Sequence, residues 1–238
     1  DPGDRTMLVR DYMTRDVVII APDARLSDAL ALMRARHVHR LPVMQNGALV
    51  GMVSENDLLY ATPSHEAPMS WVEASAHASA MTVSSVMCTD VITVCTDCPI
   101  EMAAAIMADH DIGALPVVER PGSQMIAGII TETDIFRLFV TMLGSRAPGV
   151  RASLEINNRK GALASLFNRI VEAGGSVVTV SSFPATSPTR IRIILKVADV
   201  SQEALRSLLK PEETVFDVRE IGPEHYGSAP APDSASGR

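Results

Sequence analysis

Two short stretches of this chain place the same chemistry at the same spacing. Residues 51–59 read GMVSENDLL and residues 128–136 read GIITETDIF. Each is a glycine, two apolar residues, a hydroxyl, two polar residues, an aspartate and an apolar run. Ser54 and Asp57, and again Thr131 and Asp134, thus stand three residues apart. A hydroxyl three residues before an acid, at the head of an apolar helix, forms a capping box in which side chain and backbone satisfy each other. Such a cap contributes about 1 kcal/mol and needs no ligand. The same turn also presents unpaired backbone N–H groups and a positive dipole end, which suit a phosphate. An aspartate there can accept hydrogen bonds from two vicinal hydroxyls. Capping accounts for the spacing but not for the preceding glycine and strand, nor for the duplication.

A basic cluster lies upstream. In RARHVHRLPV (34–43), Arg34, Arg36, His37, His39 and Arg40 crowd a helix end and the strand after it. Arg34 and Arg36 complement a helix C-terminus. His39 and Arg40 are candidate phosphate donors, arginine offering paired N–H groups. The matching stretch ADHDIGALPV (108–117) carries Asp109 and Asp111 instead. The two pockets should therefore differ in charge, with the one lined by His39 and Arg40 the better phosphate site. Cys95-x-x-Cys98 suggests zinc, but zinc takes four ligands and only Cys88 and His110 stand near. Small buried residues are the expected role of this pair, and no metal site is expected. No P-loop, G-x-S-x-G or H-E-x-x-H motif occurs, and no catalytic residue is expected.

The elements that must position these residues come as a repeat. Residues 13–43 match 87–117 without a gap at an offset of 74, and the offset becomes 77 beyond a longer turn, ERPGSQ in place of QNG. A slip confined to a turn is where a hairpin tolerates insertion. Each copy reads as a short strand (VVII or VITV), an amphipathic helix with Leu26, Leu30 and Met33 at helical spacing, a strand starting at Leu-Pro-Val, a second strand and a second helix. Pro42 and Pro116 suit a strand's first residue. A βαββα unit of this size cannot hold a good core alone, so the two copies are expected to pack through their sheets as one composite domain. After GSRAPG (144–149) the pattern becomes strand, helix, two strands, helix, strand, the ferredoxin-like βαββαβ order. Ser201 is a plausible N-cap of its second helix.

The duplicated motif and the HRLPV and GALPV strands resemble a tandem pair of CBS (cystathionine-β-synthase) domains. The C-terminal stretch NNRKGALASLF with AGGSVVTV resembles an ACT domain, and the combination is similar to bacterial acetoin-utilisation-type CBS/ACT regulatory proteins. The fold class implied is α/β (α+β): a tandem CBS pair of βαββα units followed by a ferredoxin-like ACT domain. Its boundaries are 7–61 for the first CBS unit, 62–84 for a partly helical connector anchored by Trp71 and Val72, 85–144 for the second unit, 150–221 for the ACT-like domain and 222–238 for a disordered tail. The resemblance implies that Ser54 and Thr131 contact phosphate, that Asp57 and Asp134 bind ribose hydroxyls, and that His39 and Arg40 hold nucleotide phosphates. The ligand implied is an adenine nucleotide (AMP, ADP or ATP, with Mg²⁺ as a possible companion). Asn158, Arg159 and Gly161 form the turn that holds an amino acid in ACT domains. Lys160 stands where that family usually has proline, a departure at the ligand turn.

Composition bounds the rest. A net charge of −7 argues against a nucleic-acid partner, which needs a basic surface. No apolar run approaches the roughly 18 residues of a membrane span. Three cysteines make no disulfide framework and fit a reducing cytoplasm. The expectation is a cytoplasmic, non-catalytic sensor, expected as a homodimer, that couples nucleotide binding to the ACT domain or to a regulated protein. The alternatives are an amino-acid sensor with the CBS pair as scaffold, a purely structural subunit, and an enzyme acting on nucleotides, which the absence of catalytic motifs disfavours.

Overall fold

The computed structural model describes residues 6–61, 81–210 and 213–221. Trp71, Val72 and the tail from residue 222 lie outside the described residues. The chain divides into two compact units, residues 1–135 and 136–238.

The first unit holds the repeat. A one-turn helix α1 (Val9–Tyr12) leads into copy one: α2 (Leu26–Arg36), β1 (Arg40–Gln45), β2 (Ala48–Ser54) and α3 (Glu55–Ala61). Copy two comprises β3 (Val94–Cys95), α4 (Ile100–His110), β4 (Ala114–Val118), β5 (Ile126–Thr131) and α5 (Glu132–Met142), and the unit boundary falls inside α5. The two hairpins repeat each other, with Arg40 opposite Ser54 in one and Ala114 opposite Thr131 in the other. Leu26, Ala29 and Met33 of α2 pack with Leu41, Val43, Val53 and Leu58. Their counterparts Ile100, Ala103, Met107, Leu115, Val117 and Ile130 are buried likewise. Each large aliphatic side chain so buried contributes roughly 1.5–3 kcal/mol.

Two local expectations change. Residues 17–20 form no strand: Ile20 alone bridges to Val43, donating to Pro42 O at 3.0 Å and accepting from Met44 N at 2.8 Å. In copy two, Thr96 N continues the pairing to Val118 O at 3.0 Å. Pro22 occupies the equivalent place in copy one and has no N–H to give. Pro42 and Pro116 are the third residues of β1 and β4, not the first. The carbonyl of Pro42 faces Ile20, so its missing donor lies on that sparsely paired side and the β1–β2 ladder is spared.

The copies exchange their leading segments. Thr14 and Ile129 trade both backbone hydrogen bonds (2.8 and 2.9 Å), and Cys88 and Met52 do the same (2.8 and 2.9 Å). Val9 N donates to Cys98 O at 2.9 Å, and Val83 N to Ala24 O at 2.9 Å. The glycines that open the two motifs permit this approach. A Cβ on Gly128 would lie 2.7 Å from Met13 Sδ and 2.8 Å from Thr14 O, and one on Gly51 2.6 Å from Met87 Sδ and 3.0 Å from Cys88 O.

The second unit is β6 (Gly149–Asn157), α6 (Ala162–Glu172), β7 (Ser176–Pro184), β8 (Arg190–Ala198), α7 (Gln202–Ser207) and β9 (Thr214–Ile221). Its antiparallel sheet has the order β7-β8-β6-β9, so the ferredoxin-like reading of the element order holds. One sheet face (Val150, Ala152, Leu154, Ile156, Ile193, Leu195, Val197, Val218) packs on Leu166 and Ile170 of α6 and Leu205 of α7. Ser201 caps α7, its hydroxyl accepting from Ala204 N at 3.1 Å.

Candidate functional site

Both duplicated motifs form complete capping boxes at a strand-to-helix turn. Asp57 Oδ2 accepts from Ser54 Oγ at 2.7 Å and Ser54 N at 2.8 Å, while Ser54 Oγ accepts from Asp57 N at 3.2 Å. Asp134 Oδ2 accepts from Thr131 Oγ1 at 2.7 Å and Thr131 N at 3.0 Å, while Thr131 Oγ1 accepts from Asp134 N at 3.3 Å. The two boxes agree to within a few tenths of an ångström. Both boxes close on one carboxylate oxygen, Oδ2. Asp57 is exposed; Ser54, Thr131 and Asp134 are half-buried. A carboxylate held at a helix start in reach of solvent is pre-oriented to receive hydroxyl groups.

The basic residues are disposed differently from one another. His39 Nδ1 donates to Glu55 Oε2 at 2.8 Å, with the histidine side chain 80% exposed. That ring nitrogen is therefore committed to the first residue of α3. Arg40 leaves its own copy. Although its backbone pairs with Ser54, its guanidinium lies over Gly113, where an added Cβ would be 2.6 Å from Arg40 Nη1 and 3.0 Å from Glu132 Oε1. Gly113 occupies in copy two the position of His39 in copy one, and its carbonyl accepts from Glu132 N at 3.1 Å as His39 O accepts from Glu55 N at 2.9 Å. The first copy's arginine thus lies at the turn of the second copy, by Gly113 and Glu132. The sequence reading grouped Arg40 with the turn of its own copy; the structure places its guanidinium over Gly113 of the other. Gly113 and Glu132 escaped sequence reading, although the His39-to-Gly113 change between the repeats was visible.

In the second unit, Asn158, Arg159, Lys160 and Gly161 are exposed at the turn before α6. Gly161 is left-handed (φ 80°), a conformation that favours glycine, and nothing lies within 4 Å of where a Cβ would be. A cavity of about 20 Å³, the space of one water, is lined by Arg159, Ser165, Arg169, Lys210 and Glu213 among others. Of the three turn residues expected to hold an amino acid, Arg159 lines it; Asn158 and Gly161 do not. Arg169 closes one side, pairing with Glu213 and donating to Leu208 O at 2.9 Å. Elsewhere Cys95 and Cys98 are free and half-buried. Burial pushes the Cys98 thiol up, away from the thiolate that metal binding or redox chemistry uses. Among the described residues no group of three or more His, Cys, Asp or Glu could hold a metal ion, and no helix is long and apolar enough to cross a membrane.

The CBS domain model matches residues 9–64 and 83–141. The chain is 31% identical over 138 residues to a CBS domain-containing protein of Dictyostelium discoideum, covering 58% of this chain and 94% of that one. A longer Methanocaldococcus jannaschii protein is 34% identical over 140 residues, and there the match spans about half of the relative (49%). Among solved structures, AcuB from Vibrio cholerae, described as an acetoin utilization protein, is 32% identical with a TM-score of 0.48, covering 59% of this chain and 95% of that one. CBSX2 in complex with AMP is 26% identical with a TM-score of 0.47, covering 56% and 96%. The chain belongs to the CBS domain-containing proteins and carries the domain as a tandem pair.

Proposed function

We propose that the tandem CBS module is a non-catalytic sensor of an adenine nucleotide, AMP, ADP or ATP. The observation that carries the reading is the pair of matching Ser54–Asp57 and Thr131–Asp134 boxes, with Arg40 delivered to the second. Asp57 and Asp134 accept the ribose hydroxyls, the Ser54 and Thr131 turns and Arg40 face phosphate, and His39 contributes through its remaining ring nitrogen. The second copy is the stronger phosphate site in this reading. Its α5 has 11 residues against 7 in α3, and it has Arg40 beside it. Adenine is assigned through the CBS family, and Mg²⁺, where it accompanies ADP or ATP, belongs to the ligand.

The C-terminal unit is read as an ACT-type regulatory domain that either responds to the nucleotide or passes it to a partner protein. α5 is the element of transmission: its first turn carries Asp134, and the connector after it is held by Lys196 of β8, which donates to Gly144 O at 2.9 Å and to Ala147 O. The ligand acts by population shift, favouring whichever packing it binds more tightly. A cytoplasmic homodimer belongs to the same reading. Thermal-shift measurements with AMP, ADP, ATP and the common amino acids separate it from its rivals. A rise in Tm with a nucleotide is expected. A rise with amino acids alone would move the signal to the Arg159 turn, and no rise with any ligand would leave a structural subunit.

A further inference from the structure

The open face of the C-terminal sheet differs in character from the rest of the molecule. On β8, Ile193, Leu195 and Val197 are fully buried against the helices, so Arg192 and Ile194 stand on the opposite face, where Lys196 is buried beneath the Gly144–Ala147 connector. On β6, Arg151, Ser153 and Glu155 alternate with the buried Ala152, Leu154 and Ile156. On β9, Asp217 and Arg219 flank the buried Val218. Two carboxylates are here straddled by arginines. Glu155 accepts from Arg190 and Arg192, each at 3.3 Å, and Asp217 accepts from Arg219 at 2.7 Å and Arg151 at 3.4 Å. The outer members stay accessible, the Arg192 side chain at 43% and that of Arg219 at 65%. Arg192 lies 5.3 Å from the centroid of Phe216, and Phe183 is its register partner on β7. Both rings are exposed, at 54% and 39%.

The charge of the chain sharpens the contrast. Residues 1–135 contain 8 Lys and Arg against 18 Asp and Glu, whereas residues 136–238 contain 13 against 10. With two arginines to each of these two carboxylates, the ion pairs leave positive charge over on this face beside two exposed rings. Arginine beside exposed aromatic surface is the composition of a protein interface core.

We propose that this face docks an acidic protein segment carrying an aromatic or aliphatic side chain. Its carboxylates meet Arg192 and Arg219, and its apolar side chain packs between Phe183 and Phe216. A nucleic acid fits less well, because its continuous phosphates would extend into the field of a chain with net charge −7, whereas the charge of a short acidic segment ends at the patch. The test is fluorescence anisotropy on the full chain with labelled short peptides rich in Asp and Glu around one Phe. Their Asn/Gln counterparts and a single-stranded oligonucleotide serve as the other arms. Acidic peptides are expected to bind saturably, the neutral ones not. Replacing both Arg192→Gln and Arg219→Gln should weaken binding about tenfold or more while leaving the thermal melt in place. If that variant fails to fold, a loss of wild-type binding with added NaCl carries the same information. Tighter binding of the oligonucleotide, self-association of the chain abolished by the double variant, or no binding of any acidic peptide overturns the proposal.

Discussion

Gly113 and Gly128 are both close-packed glycines, yet substituting them should have opposite consequences. A Cβ at Gly113 meets the tip of Arg40, a flexible side chain that can swing away. Gly113→Ala is therefore expected to leave stability within about 0.5 kcal/mol of wild type but to weaken nucleotide binding by displacing the guanidinium. A Cβ at Gly128 meets backbone, Thr14 O, as well as Met13 Sδ. Gly128→Ala should cost about 1–3 kcal/mol by overpacking, and chemical denaturation separates the two variants. At the boxes themselves, Asp57→Ala and Asp134→Ala each remove a cap worth about 1 kcal/mol. A purely structural role predicts that loss and no change in ligand response. The nucleotide reading predicts both effects, so a melt and a binding isotherm on the same sample distinguish them.

Among the elements, the connector after α5 depends on Lys196, a lysine only 3% exposed. Burial, with the nearby Arg151 charge adding to it, holds the Lys196 ammonium below the ordinary lysine value of 10.5. The unfolded chain therefore binds that proton more tightly than the folded one. The group opposes folding at neutral pH, and the penalty fades as pH rises toward 10.5. Wild type should accordingly gain stability relative to Lys196→Met between neutral and alkaline pH, which denaturation at a series of pH values measures. The repeat, the hairpins and the βαββαβ order were legible because they rest on local signals: apolar period, turn residues, caps. The exchange of leading segments was not. Met13 and Met87 recur in sequence, but nothing in either copy says that each packs on the other copy's glycine. The missing strand at 17–20 was legible in principle, since Pro22 stands where copy two has Thr96. The reach of Arg40 to Gly113 of the other copy was not legible, because a long side chain crossing between repeats leaves no mark in the sequence spacing.

At the scale of the whole molecule, an acidic N-terminal portion joins a mildly basic C-terminal one, and the ligand proposed for the first is itself an anion. Arg40 is the cation that the structure brings to the second turn. Phosphate binding should weaken with salt more than base and ribose binding does. AMP affinity should therefore fall with added NaCl, whereas any affinity for adenosine should hardly change. Calorimetric titration of the full chain with AMP, set against Arg40→Gln and Asp134→Ala, tests the central claim most directly. Saturable binding by wild type, weakened about tenfold or more in each variant, is the predicted result. No heat of binding at millimolar AMP, ADP or ATP, or an isotherm that neither substitution alters, would contradict it.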